Sequence, residues 1–260
     1  MDLGIEGRRA AVAAGSAGLG LALATHLTEA GAHVVVCGRD AARLDSALET
    51  LRGALPDTTE RSGNQPQGFV VDVSDTDGAA NFIHRATDAL GGPPEILVCN
   101  GGGPPPGTPS ATPLDDYRAA LESNCLASIA MCAEVAPHMR SSGWGRILGI
   151  TSIGAREPIG FLAASSVARA ALTSYLKMLA TELAPDGITV NNLQPGLHRT
   201  DRVTGLAGDQ ASALLDGIPT GTFGEAADFG SVGAFLCSES ARFVTGVGLH
   251  IDGGAFRGLQ

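Results

Sequence analysis

Short, nearly uninterrupted apolar runs alternate along the chain with longer stretches in which apolar residues recur at helical spacing. A run such as Val34-Val35-Val36-Cys37 has no polar alternate, which marks a strand covered on both faces and therefore a parallel sheet. Predicted strands are Ala10–Ala13, His33–Cys37, Gly68–Val71, Ile96–Cys99, Arg146–Ile150, Thr189–Leu193 and Gly248–Ile251. The stretches between them predict helices over Gly18–Ala30, Asp40–Leu51, Asp75–Ala89, Leu114–Met139, Phe161–Leu183 and Ala226–Cys237. Repeated strand-helix alternation predicts one α/β domain over residues 1–260: a doubly wound parallel sheet of about seven strands with helices on both faces. No internal repeat or coiled-coil heptad interrupts it.

Three segments stand outside this alternation. The polar, turn-rich connection from Gly53 to Gly68 reads as a solvated loop. Gly101-Gly102-Gly103-Pro104-Pro105-Pro106-Gly107 follows a predicted strand at the edge where open α/β sheets bind ligands, and it reads equally as a site wall or a rigid linker. The stretch Asp201–Gly224, rich in Gly, Ala and Thr, is expected to form a flap over the substrate.

Composition narrows the partners. With 260 residues, 44% of them apolar, the chain suits one compact domain. A formal net charge of −10 argues against nucleic-acid and anionic-membrane surfaces, because phosphates are bound through clustered Lys and Arg. Lys177 is the only lysine. The five cysteines are widely spaced, with no CxxC pair, which predicts buried free thiols and no disulfide or metal site. The N-terminal residues lack the basic-then-apolar order of a signal peptide, and no window is expected to reach the roughly 18 to 20 apolar residues of a bilayer span. A cytoplasmic protein is expected.

Ala13-Ala14-Gly15-Ser16-Ala17-Gly18-Leu19-Gly20 lies between the first predicted strand and helix. Glycines there let the backbone approach a pyrophosphate, and the helix N-terminus offers free N–H groups. With Asp72-Val73-Ser74, Asn100-Gly101-Gly102, Asn124, Ser152, Asn191 to Gly196, Thr200 and the closing Asp252-Gly253-Gly254, the chain resembles the short-chain dehydrogenase/reductase superfamily nearly end to end. It is most similar to the β-ketoacyl-carrier-protein reductase-like members, in a divergent subgroup. That resemblance implies a Rossmann-type fold and a nicotinamide cofactor. It implies that Gly15, Ser16, Gly18, Leu19 and Gly20 cradle the pyrophosphate. Asp72 and Val73 would then meet the adenine, Asn100 and Gly101 the adenosine ribose, and Pro195, Gly196 and Thr200 the nicotinamide amide.

The second strand ends Val36-Cys37-Gly38-Arg39. A carboxylate at Gly38 would chelate the ribose hydroxyls of NAD; Arg39 instead can meet a 2′-phosphate, so NADP(H) is favoured over NAD(H), the other reading of Arg39 being a solvated turn residue. The family's usual threonine-glycine opening aligns with Ala13-Ala14 here. A Cβ at Ala14 restricts the backbone and crowds the pyrophosphate.

Carbonyl reduction in the family uses a tyrosine acid, a lysine one helical turn on, a serine and an asparagine. Ser152 and Asn124 match the last two. Counting thirteen places from Ser152 gives Ser165, four more gives Arg169, and counting back from Glu182-Leu183-Ala184 gives the same pair. No YxxxK exists: Tyr117 precedes Leu121 by four and Tyr175 precedes Leu179 by four. Ser165 is a poor proton donor, since aliphatic hydroxyls are far weaker acids than phenols of pKa about 10. Arg169 keeps the positive charge and can donate to ribose hydroxyls or a developing oxyanion, but does not titrate. Two proton sources remain open, a water held by Ser152, Ser165 and Asn124, and His198 just past Pro195-Gly196.

Three functions stay in view. The leading one is an NADP(H)-dependent oxidoreductase acting on a carbonyl or alcohol, 3-oxoacyl reductase-like, with a small-molecule substrate that an acyl carrier can present. The others are a non-redox enzyme for dehydration, cyclisation or isomerisation, and a catalytically silent dinucleotide-binding subunit. The resemblance implies a homo-oligomer, a tetramer or dimer, or a mixed oligomer with an active relative, and the small residues of Leu162–Leu172 suit close helix packing.

Overall fold

The structure, a computed structural model, describes residues 2–56, 65–201 and 215–259. Seven parallel strands form one sheet in the order β3-β2-β1-β4-β5-β6-β7. They are β1 Arg9–Val12, β2 His33–Gly38, β3 Gln67–Val70, β4 Ile96–Cys99, β5 Gly145–Ile150, β6 Ile188–Pro195 and β7 Gly248–Ile251. The strand order reverses between β1 and β4, which opens a crevice at their carboxyl ends. The fold is thus the single-domain Rossmann-like α/β sheet that the apolar runs predict.

The helices are α1 Gly18–Glu29, α2 Ala41–Gly53, α3 Thr76–Leu90, α4 Leu114–Leu121, α5 Ala127–Ser142, α6 Ala163–Leu183 and α7 Ala226–Leu236. Local chemistry sets their ends. Asp40 accepts from Arg43 N at 3.0 Å to cap α2, and Asp75 accepts from Gly78 N at 2.7 Å to cap α3. Gly91 and Gly143 terminate α3 and α5 in the left-handed conformation, where a Cβ would be strained.

Two apolar cores sandwich the sheet. On one face Leu23, Leu27 and Phe229 of α1 and α7 cover Val12, Val36 and Leu193; on the other Phe82, Met131 and Leu176 of α3, α5 and α6 cover Ala11, Leu97 and Val190. Each fully buried large apolar side chain contributes roughly 1.5–3 kcal/mol, so this double burial explains why β2 and β4 need no polar alternate.

Two expectations change. The helix expected over Leu114–Met139 is broken by a π-helical turn at Glu122–Leu126, and it carries Asn124. The segment Leu114–Ser142 is long and apolar enough to cross a bilayer by length and composition, against the expectation that no window is. Its apolar side is spent on the core instead, with Met131, Cys132, Val135 and Met139 buried. The small residues of α6 do make a close helix contact within the chain, Ala164 and Ala168 packing on Ala120 of α4. Residues 57–64 of the polar connection and 202–214 of the expected flap lie outside the described residues.

Candidate active site

A cleft of about 2060 Å³ runs along the carboxyl edge of the sheet. One end is the turn between β1 and α1. Ala14 adopts φ 46°, the only positive φ at a non-glycine among the described residues. Its N–H donates to Cys37 Sγ at 3.4 Å and its carbonyl accepts from Asn100 Nδ2 at 3.2 Å, so the strained residue is tied to β2 and β4. Gly20 lets α1 come close: a Cβ there would sit 2.6 Å from Asn100 Nδ2. Gly18, at φ 56°, faces Thr200 across the cleft, where a Cβ would lie 3.6 Å from Thr200 Cγ2. Leu19 also lines the cleft, while Gly15 packs under the turn, where a Cβ would lie 2.9 Å from Val36 Cγ1, too close without movement.

Gly38 has a steric role. A Cβ on it would approach Ser16 Cβ to 2.7 Å, so the glycine lets Ser16 settle against the end of β2. Arg39 Nη1 lies 3.8 Å from Asp72 Oδ2, and Asp72 Oδ1 accepts from Ser74 N at 3.0 Å. Val73 is buried beside them. At the opposite wall Gly196 N donates to Ile251 O at 2.9 Å, which fixes the Pro195-Gly196 turn against β7.

The middle of the cleft holds the Ser/Arg exchange. Ser165 and Arg169 are both buried on α6, oriented by the Ala164 and Ala168 contact with α4. The Arg169 guanidinium donates from Nη1 to Ile150 O, and from Nη2 to Gly101 O at 3.3 Å. It thereby ties the ends of β4 and β5 to α6. Ser152 Oγ accepts from Gly154 N at 3.0 Å, holding the 3₁₀ turn Ile153–Ala155. Asn124 donates from Nδ2 to Ser123 Oγ at 2.8 Å, while its Oδ1 is buried without a protein partner. A buried carbonyl in that state calls for a water or ligand donor.

The glycine-rich segment after β4 forms a wall of the cleft. Gly107 donates to Phe161 O at 2.8 Å and accepts from Ala163 N at 3.1 Å, so its prolines are pinned to the loop entering α6. His198 is buried, with Nδ1 3.3 Å from Gly196 O and its ring edge-on to Phe229 at 5.4 Å. Burial pushes its pKa below the usual 6.5, against weaker raising by Gly196 and nearby carboxylates. Tyr175 packs against the α5 core and burial pushes its phenol further up, which removes it as an acid. Tyr117 donates to Pro109 O at 3.3 Å, and Lys177 Nζ donates to Gly246 O at 2.9 Å, away from the cleft.

The five cysteines are free and buried. Burial pushes Cys37 up to about 12, so it serves as a neutral packing and acceptor group. Among the described residues, no cluster of three His, Cys, Asp or Glu could hold a metal ion. Sequence reasoning missed Arg43 and Asp201, which meet at 3.7 Å beside the β1–α1 turn. The signal for Arg43 was its place four residues after Arg39, in the first turn of a helix capped by Asp40.

The residues fit a dinucleotide. The glycines leave open the space a Cβ would fill, the free helix N-terminus faces the cleft, and the line from Arg39 to Ser152 is unbroken.

Comparison with known proteins agrees with this geometry. The family profile described as "Enoyl-(Acyl carrier protein) reductase" matches residues 13–255. The pig protein "Dehydrogenase/reductase SDR family member 4" is 32% identical over 253 residues, covering 96% of this chain and 88% of its own length. The "3-oxoacyl-[acyl-carrier-protein] reductase FabG" of Vibrio cholerae is 28% identical, covering 98% of this chain and 99% of its own. Among solved structures, L-sorbose reductase from Gluconobacter frateurii, complexed with NADPH and L-sorbose, superposes with a TM-score of 0.88 at 30% identity, covering 100% of both chains. The chain belongs to the short-chain dehydrogenase/reductase family of oxidoreductases.

Proposed function

We propose that the protein is an NADP(H)-dependent oxidoreductase acting on a carbonyl or alcohol, 3-oxoacyl reductase-like, with Ser165 and Arg169 in the places of tyrosine and lysine. One observation carries this reading: a single cleft joins Ser16, Arg39 and Asp72 at one end to Ser152, Ser165 and Arg169 at the other. The bound dinucleotide supplies or accepts the hydride. The chain's own residues do the rest.

Gly15 to Gly20 and the N-terminus of α1 hold the pyrophosphate. Asp72 and Val73 meet the adenine, Asn100 and Gly101 its ribose, and Pro195, Gly196 and Thr200 the nicotinamide amide. Ser152 and Ser165 offer hydroxyls to the substrate oxygen. Arg169 keeps a fixed positive charge at the cleft wall, which favours negative charge developing there. Asn124 Oδ1, the orphaned acceptor, holds a water that with Ser152 and Ser165 carries the proton. His198 is the weaker candidate, because burial favours its neutral form and its Nδ1 is turned to Gly196.

A second reading has its own support. No tyrosine, lysine or cysteine is among the described residues lining the cleft. In that reading the Ser152, Ser165 and Arg169 group orients a substrate for dehydration, cyclisation or isomerisation, or the chain is a silent dinucleotide-binding subunit. Exposed Leu126, Val167 and Met178 on the α4–α6 side support self-association, which sedimentation would check.

Turnover of NADPH against a panel of 3-oxoacyl thioesters and other ketones tests the leading reading. Consumption of stoichiometric NADPH is expected, and binding without turnover would sink it. The double substitution Ser165→Tyr with Arg169→Lys sharpens the test: if it creates activity where the natural chain has none, the natural reaction is not carbonyl reduction.

A further inference from the structure

Beyond Gly101, the glycine- and proline-rich segment after β4 has no part in holding the cofactor. Its two ends are anchored to different elements. At the first end Gly101 O accepts from Arg169 Nη2 at 3.3 Å while Arg169 Nη1 donates to Ile150 O, so one planar guanidinium sets this carbonyl against the end of β5. At the other end Gly107 forms an isolated parallel bridge with Leu162, and a Cβ on it would collide with Thr112 Oγ1. Between the anchors stand Pro104, Pro105 and Pro106, all lining the cleft.

Three consecutive prolines give this stretch two properties. Each ring fixes φ at about −65°, so between fixed ends the wall has little freedom to reshape around a ligand, and none of the three has an N–H to donate. The bridge at Gly107 sets them beside Ile159, Phe161 and Leu162, which also line the cleft. Phe161 is 49% exposed, and Pro105 and Pro106 are exposed, so apolar surface is gathered here with nothing covering it. In a concave site such surface receives the apolar body of a ligand. Ser165 stands just beyond Leu162 in the first turn of α6 and lines the same cleft. Its oxygen reaches roughly 4 Å less far from its Cα than a tyrosyl oxygen would, which leaves the space of a phenol ring open beside the wall.

We propose that the Gly101–Gly107 segment, fixed by Arg169 acting as a positioning residue, is a specificity wall that selects a carbonyl substrate bearing an apolar ring over an open-chain one. The inference rests on the oxidoreductase reading above and names the body of its substrate. A flexible chain must lose rotamer freedom to lie against a wall that does not adapt, and a ring has little to lose. A polyol would find no N–H donor on the three prolines, so hydroxyl groups facing them would exchange water for an incomplete set of partners.

Calorimetric titration of the whole chain saturated with NADP+ tests the proposal, with acetophenone as the ring-bearing ketone and 2-octanone as the open-chain ketone of equal carbon number. Neither ketone is reduced by NADP+, so binding is read apart from turnover. Acetophenone is expected to bind about tenfold more tightly than 2-octanone. Pro104→Ala, Pro105→Ala and Pro106→Ala made together are expected to bring the two Kd values within about twofold of each other, with NADPH affinity unchanged as the control for folding. Arg169→Lys keeps the charge but not the two-armed fork. It should weaken acetophenone about fivefold, leave 2-octanone unchanged and speed hydrogen exchange at Gly102 and Gly103. The proposal is overturned if acetophenone does not bind, if the natural chain binds both ketones alike, or if the preference survives the triple substitution. Equal weakening of both ketones by Arg169→Lys would overturn the positioning role. NADPH oxidation, followed separately, distinguishes this inference from the reading beneath it. Ring preference without turnover of either ketone would overturn the oxidoreductase reading and leave the wall standing, whereas turnover of both without preference would overturn the wall alone.

Discussion

The two edges of the sheet treat polar groups in opposite ways. At the amino edge, charged side chains are paired and packed. Arg8 donates to Glu95 at 2.6 Å, the Arg9 N–H donates to the same carboxylate at 3.1 Å, and the guanidinium groups of Arg8 and Arg146 lie over the Trp144 ring at 3.9 and 4.3 Å. Trp144 Nε1 in turn donates to Glu239. At the carboxyl edge, by contrast, Asn124 Oδ1 is orphaned, Ala14 is strained, and Arg39 and Arg43 hold only exchangeable partners. The more buried ion pairs lie at one edge, and the strained residue and the exchangeable ion pairs at the other.

The largest break in this contrast is expected from Arg146→Ala. Arg146 is buried, donates to Gly145 O, Gly187 O and Ser238 O, and faces Glu239 at 3.7 Å. Removing it takes a donor from three carbonyls and a charge partner from Glu239, at a cost of about 3 kcal/mol or more. Chemical denaturation would measure that loss. NADPH affinity under native conditions should not move, and a parallel loss of affinity would show that the edges are not separate.

Gly38→Asp is the converse test. Its Cβ would press on Ser16, displacing the β1–α1 turn, so on the proposed reading the Kd for NADPH should rise at least about tenfold. NADH should gain nothing, although the new carboxylate stands where NAD-binding chains place theirs. Stability should fall by only about 1–3 kcal/mol. Unchanged NADPH affinity would remove Ser16 from the site.

Glu95→Gln comes next. Burial raises the Glu95 pKa, but hydrogen bonds from Arg9 N–H and Arg8, with the charge of both arginines, outweigh it and hold the carboxyl below 4.5. A depressed carboxylate contributes stability above its unfolded pKa and loses it as pH falls through the folded value. Below about pH 4.5 stability should therefore drop, more steeply in the natural chain than in Glu95→Gln, which should cost about 1–2 kcal/mol at pH 7. His198 adds in the same direction: its folded pKa lies below 6.5, so protonation favours the unfolded chain as pH falls from there. Parallel pH profiles for the two chains would take Glu95 out of the account.

The pattern of apolar runs carried most of the fold. Ile96–Cys99 stands as expected, because a strand buried on both faces leaves an unmixed apolar signature. Gly248–Ile251 also stands, although it is a half-buried edge strand that carries His250. The π-helical turn was not legible, since one inserted residue barely disturbs helical periodicity. Its trace was the polar pair Ser123-Asn124 between Leu121 and Cys125. At the site, spacing located Ser165 and Arg169 but could not say that the guanidinium spends hydrogen bonds on Ile150 and Gly101 carbonyls. The amino-edge cluster joins Arg8, Glu95, Trp144 and Glu239 across long sequence separations, and no local pattern announces it.

Ala14 gives the smallest effect and the finest test. At φ 46° an L-residue with a Cβ costs roughly 1 kcal/mol relative to glycine, and the surrounding ties to Cys37 and Asn100 hold it there. Ala14→Gly should relieve that strain, offset by a small loss of packing against the core beside it. A net gain of about 0.5–1 kcal/mol is expected, raising Tm by about 2 °C. The same change removes a methyl group from the cleft wall, so NADPH should bind as tightly or more tightly. If Ala14→Gly instead weakens NADPH binding while stabilising the fold, then the strained alanine holds the turn in its binding geometry, and even this carboxyl-edge cost is functional.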